Sequence, residues 1–169
     1  MPKIVRFYAA GDADTAALTF YENSDQFATG GGWIDDPDGV KANFGFSAHY
    51  LKNGQAKGHL VYVYRGVYNG ETADFIIRSN AINALAFAGA EYPVPATLQG
   101  KCTIQVNRSS DGVSLYSEGN ATFQATVVDG GENGGAGDTF SLRVYTKQGV
   151  VYKNVSETAL QGGNVVVHQ

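Results

Sequence analysis

The sequence predicts an all-β fold: a single antiparallel barrel or sandwich of meandering hairpins, with little or no helix. Three observations carry this. Turn dipeptides punctuate the chain at Asp38-Gly39, Asn53-Gly54, Asn69-Gly70, Asp111-Gly112, Asp129-Gly130 and Asn133-Gly134, and such pairs suit the positive φ angles of tight hairpins. Between them apolar and polar residues alternate with period two. With 22 glycines, 10 tyrosines and only 17% charged residues, the composition is that of a packed chain rather than a disordered one.

Taken in order, strands are expected at 3–9, 16–22, 27–35, 40–51, 58–66, 72–79, 81–89, 97–107, 113–118, 120–128, 138–146, 149–153 and 163–168. The second overlaps "DTAALTFYEN", the best helical candidate, whose β-branched and aromatic end favours a strand. In "KANFGFSAHY", Phe44, Phe46, Ala48 and Tyr50 share one face against Gly45, Ser47 and His49. "NATFQATVV" sets Ala121, Phe123, Ala125 and Val127 against Thr122, Gln124 and Thr126, and "DTFSLRVY" sets Phe140, Leu142 and Val144 against Ser141 and Arg143. One apolar and one polar face is the antiparallel signature. Pro93 and Pro95 in "EYPVPATLQG" mark a loop or edge crossing. The chain reads as one domain of 169 residues, with 1–25 adding an N-terminal strand segment to a main body over 26–169.

Several partner classes are disfavoured. A formal charge of −4 offers no basic stripe for nucleic acid or anionic membrane, and no apolar run reaches the length of a membrane-spanning helix. Cys102 is the lone cysteine and reads as a small buried hydrophobe. The opening "MPKIVRFYAAGDAD" lacks the apolar stretch of a signal peptide, which leaves an intracellular protein or a mature piece behind a new methionine.

The segment "VVDGGENGGAGDTFSLRVY" holds Asp129, Glu132 and Asp138 among glycines. Calcium takes six to eight oxygens from carboxylates, carbonyls and water, so these three are the candidate metal ligands. The plainer reading is a solvated hairpin end. Asp35, Asp36 and Asp38 around Pro37 form a second acidic group that an Asp-Gly turn explains without a ligand. His49, His59 and His168 are too scattered to read as a zinc triad. No nucleophile elbow or phosphate loop occurs, so no catalytic residue is assigned. The ligand-facing candidates are Tyr62, Tyr64 and Arg65 of "HLVYVYRGVY", with Trp33 and His49. Aromatics on a β surface suit sugar stacking or protein contact, whereas core packing is the commoner fate of strand tyrosines. Gly30–Gly32 before Trp33 permit close backbone approach, so the indole either fills the core, plugs one end, or forms a surface platform. Sequons at Asn107, Asn120 and Asn154 matter only in a eukaryotic secretory host.

"FATGGGWIDDPDG", "KANFGFSAHY", "GGAGDTFSLRVY…GVVYKN" and "LQGGNVVVH" form an ordered series over roughly residues 18–168. The series resembles a bacterial secreted β domain that follows immunoglobulin-like or hyalin-type repeats or choice-of-anchor regions. Thr29–Ile34, Lys41–Phe46 and Gly162–His168 carry the resemblance, with Asp138–Val144 and Val150–Asn154 matching the penultimate hairpin. The stretch from about 66 to 100 departs from that pattern, as does Gln161 before Gly162-Gly163. The resemblance implies an extracellular, accessory or adhesive role and no transferable activity. The expected function is therefore a non-enzymatic secreted or cell-surface module for carbohydrate or protein contact or structural spacing, with calcium as the one candidate ion. The alternatives are a small barrel that binds or cyclises a hydrophobic molecule in its cavity, and a self-assembling surface or fibre subunit that exchanges its N-terminal strand.

Overall fold

The computed structural model describes residues 26–131 and 136–169; the strands expected at 3–9 and 16–22, and Glu132, lie outside them. Nine strands follow one another: β1 (Phe27–Asp35), β2 (Lys41–Tyr50), β3 (Ala56–Tyr68), β4 (Glu71–Phe87), β5 (Val94–Arg108), β6 (Ser114–Asp129), β7 (Thr139–Tyr145), β8 (Val151–Ala159) and β9 (Gly162–His168). No helix occurs among the described residues. The strands form one antiparallel sheet in the order β8-β7-β6-β5-β4-β3-β2-β1-β9.

Local chemistry accounts for the hairpins. At Asn69-Gly70 both residues have positive φ, 49° and 84°, the conformation that suits a two-residue turn to the twist of its strands. The turns starting at Asp36, Leu51 and Thr146 share another pattern. In each, the first amide donates to the carbonyl four residues on, and a glycine amide three residues on donates back. Side-chain oxygens reinforce two of them: Asp36 Oδ1 accepts from the Asp38 amide at 2.8 Å and Asn53 Oδ1 from the Gln55 amide at 3.0 Å.

The sheet curls because its ends are tied. β8 and β9 occupy opposite ends of the strand order, yet only Leu160 and Gln161 separate them in sequence. The sheet therefore has to bend round until those ends approach. The concave face encloses the core, in which Phe44, Phe46, Leu60, Tyr62, Ile77, Leu98, Ile104, Phe140, Leu142 and Val155 are all at most 5% exposed. Phe140 stacks on Phe44 at 4.2 Å between centroids and lies parallel to Tyr62 at 5.8 Å. Close approach of β9 to β1 depends on Gly163, which has φ +103° and where a Cβ would sit 2.1 Å from the Gly31 carbonyl oxygen.

Two pairs of expected strands are single strands with bulges. The segments expected at 72–79 and 81–89 are both β4, whose pairing with β5 skips Asn80 and Asn83. Each skipped residue flips the alternation, so inward positions run Ala73 and Ile77, then Ile82, then Leu85. Likewise 113–118 and 120–128 are both β6, with Asn120 at φ 56° where register shifts against β5. Pro95 lies inside β5 rather than in a crossing loop.

Candidate functional site

The bulges of β4 border a recess. The β3–β4 ladder runs from Tyr68↔Glu71 only as far as Val61↔Arg78. Beyond it, Ala56–Leu60 keep a ladder to β2 and Ser79–Phe87 keep one to β5, but among the described residues neither segment pairs with the other. The sheet forks. At the vertex the Leu60 amide donates to Ser79 Oγ at 2.8 Å, which ends the ladder with a side chain in place of a strand carbonyl. At the mouth the Tyr50 hydroxyl donates to the Leu85 carbonyl, with Tyr50 tilted against Phe87 at 6.3 Å.

Between the prongs lies a groove of about 940 Å³, walled by Gln55–Gly58 on one side and Asn80–Ala86 on the other. Gly100 makes its back wall possible: a Cβ there would sit 1.9 Å from the Ala81 carbonyl oxygen, so β5 approaches the bulged strand only because the position is bare. The lining mixes backbone edges with the amides of Gln55, Asn80, Asn83 and Gln99. Unpaired strand edges flanking such a space are templates for an added strand.

A second cluster lies at the β1–β2 turn. Asp36 and Lys153 are buried, their side chains 0% and 7% exposed, and Lys153 Nζ stands 2.8 Å from Asp36 Oδ1. Asp38 Oδ2 lies 3.0 Å from the same ammonium, and the Tyr64 ring faces it at 4.1 Å. The Tyr62 hydroxyl donates to Asp36 Oδ2 at 2.5 Å. Burial first, then its bond to the Asp36 carboxylate, pushes the Tyr62 phenol well above the usual tyrosine range. Burial followed by the Asp36 charge does the same to Tyr64.

The expected ligand-facing residues are dispersed. Tyr62 and Tyr64 are buried in the concave core rather than on an outer platform, so the packing reading describes them. Arg65, one residue on, is outside and pairs with Asp74 at 2.8 Å, which holds the Asp74 carboxyl below its ordinary value. Trp33 neither fills the core nor plugs an end. Its phase on β1 is opposite that of Ala28 and Ile34, and it lies half-buried between Lys41, whose Nζ is 4.5 Å from the ring, and Gly162. His49 is exposed.

Asp129 and Asp138, two of the three expected calcium ligands, are buried at 4% and 1% exposure. Asp138 accepts from the Gly130 amide at 2.8 Å and from the Val165 amide at 2.7 Å. Asp129 accepts from the Gly131 amide at 3.0 Å and the Val167 amide at 3.0 Å. All four oxygens thus receive backbone N–H groups, two of them from the free edge of β9. Among the described residues no group of three or more potential ligands gathers.

Sequence reasoning never singled out Lys153. The available signal was a lysine in the inward phase of β8, two residues before the buried Val155. No protein-family model, curated protein or solved structure matches this chain.

Proposed function

We propose that this protein is a non-enzymatic structural and binding module that accepts an extended polypeptide strand in the fork between β3 and β4. The single observation behind this reading is the pair of strand segments, Ala56–Leu60 and Ser79–Phe87, that face a groove without pairing across it. A strand seated there would add backbone hydrogen bonds to both walls, which is how strand-addition domains gain affinity with little demand on side-chain identity.

The occupant we assign is the segment 3–9, "KIVRFYA", whose alternation reads as a strand. Its reach fits. Phe27 pairs with His49, and Tyr50 with Ala56, so the chain enters β1 at the end onto which the fork opens. From β1 to the fork is about three strand spacings, roughly 15 Å. The sixteen residues 10–25 span up to about 50 Å when extended. Extracellular placement belongs to the same proposal and is supported by the ordered motifs around Trp33, Phe44 and His168.

Disulfide trapping in the full chain tests this. Single cysteines at Ile4, Val5, Arg6 or Phe7 are each combined with Asn83→Cys and oxidised mildly, with buried Cys102 as a silent background. A crosslink at alternate positions supports the reading. A monomeric product means that the chain fills its own fork, and a dimer or ladder means that copies are linked. Absence of any crosslink in all four overturns it. The amides of Gln55, Asn80, Asn83 and Gln99 beside Tyr50 favour one second reading, a carbohydrate in the same groove; glycan binding that Asn83→Ala abolishes would single that out.

A further inference from the structure

We propose that Lys153 and Asp36 join in an intramolecular amide bond that locks the curled sheet shut. The two reacting groups are placed for it. Lys153 Nζ lies 2.8 Å from Asp36 Oδ1, with both side chains withdrawn from solvent and walled by the rings of Tyr62 and Tyr64. The residues are 117 apart in sequence. Their elements are also far apart in the sheet: Asp36 follows β1, next to one end, and β8 is the other end.

The surrounding groups match what amide formation from an amine and a carboxylic acid requires. The ammonium first passes one proton to Asp36 Oδ1 across their hydrogen bond, leaving a free amine beside a neutral acid. Nζ then attacks Cγ. The electron pair displaced from the carbonyl moves onto Oδ2, where the Tyr62 hydroxyl already donates at 2.5 Å, the position of an oxyanion donor. The Asp38 carboxylate, 3.0 Å from Nζ, takes a proton from the now cationic nitrogen. The carbonyl reforms, the Cγ–Oδ1 bond breaks, and Asp38 returns its proton to the departing oxygen. One N–C bond forms, one C–O bond breaks, and one water leaves; no oxidant or co-reactant is involved.

Two physical terms favour the product. Holding the amine and the acid in contact replaces an unfavourable bimolecular encounter by an intramolecular one, with effective molarities that reach about 10⁵ M or more in well-oriented systems. The ion pair also carries a desolvation penalty at each buried charge, and an amide removes both charges together. The bond has structural consequence as well. Among the described residues no ladder joins β8 to β9, so a covalent tie from the β1–β2 turn to β8 would hold the two ends of the sheet where no strand pairing does.

Intact-mass measurement of the full, denatured chain decides the matter. The expected mass is one water below the sequence mass, and a tryptic digest should give a branched peptide containing both Asp36 and Lys153. Lys153→Arg should restore the full sequence mass. Asp36→Asn should lose ammonia in place of water and yield the same link, whereas Asp38→Asn should leave a slowly maturing, unlinked fraction. A wild-type chain at its full sequence mass, with Lys153 cleaved by trypsin and labelled by an amine reagent under denaturant, overturns the proposal whatever the variants do.

Discussion

The carboxylate of Asp138 accepts the amide of Val165 at 2.7 Å, and thereby satisfies the edge of β9 that faces away from β1. Asp129 does the same for Val167. Bare strand edges invite pairing with other chains, and a closed barrel would remove the edge with a further ladder. Here two buried acids from the β6–β7 hairpin stand in for the missing strand. Each also braces its own loop, through the Gly130 and Gly131 amides. The acidic, glycine-rich stretch thus has a mechanical use that needs no ion.

Asp138→Ala therefore strands two amides at once, that of Val165 buried and that of Gly130 part-buried. Loss of charge-assisted hydrogen bonds together with unsatisfied donors should cost about 3 kcal/mol, read as a lowered denaturant midpoint with an unchanged slope. Asp138→Asn should be milder, since an amide oxygen still accepts from one of the two. A variant as stable as the parent would mean that water replaces the carboxylate and that the edge was never protected by it.

How far the sequence exposes these relationships varies by residue. Strand 27–35 was legible to its ends because Ala28 and Ile34 mark an inward phase and Asp-Gly closes the turn. The halves of β4 and β6 read as separate strands because a bulge at Asn80, or at Asn120, breaks the alternation just as a turn would. Tyr62 and Tyr64 plainly share a face, but which face is concave depends on the curl, and the curl depends on β8 and β9 meeting from opposite ends of the sheet. Asp129 and Asp138 stood out as acids, yet their partners lie 38 and 27 residues downstream. The fork was illegible, since its existence turns on where one ladder stops.

Alkali should unfold this protein through its buried weak acids. Burial pushes the Cys102 thiol from 9.0 up to about 12. Below about pH 9 the thiol is neutral in both folded and unfolded chains, and its full contribution to stability is present. Above that, the unfolded chain releases the proton and the folded chain does not, so the contribution is lost progressively as pH climbs toward 12. The Tyr62, Tyr64 and Tyr152 phenols, raised mainly by burial, act in the same direction above about pH 10. Melting temperature should be flat from pH 7 to 8.5 and fall steeply above pH 9.5. Cys102 should react with an aromatic disulfide reagent at pH 8 only after denaturation; labelling of the native chain would place the thiol outside the core.

The Tyr50 hydroxyl pins the mouth of the fork through its bond to the Leu85 carbonyl. An incoming strand has to compete with it for that carbonyl. Tyr50→Phe keeps the ring packed near Phe87 and removes only the donor, so the global cost should be about 1 kcal/mol. Locally the effect should be larger. Amide hydrogen exchange across Asn80–Phe87 should quicken, because that segment retains β5 as its single ladder partner. Exchange in β6 and β7, remote from the fork in the strand order, should stay as it was. In the cysteine-trapping assay, the same substitution should speed the reaction between residue 5 and residue 83, since the carbonyl is released to a strand. Equal trapping rates with and without the hydroxyl would show that the mouth is not what limits entry.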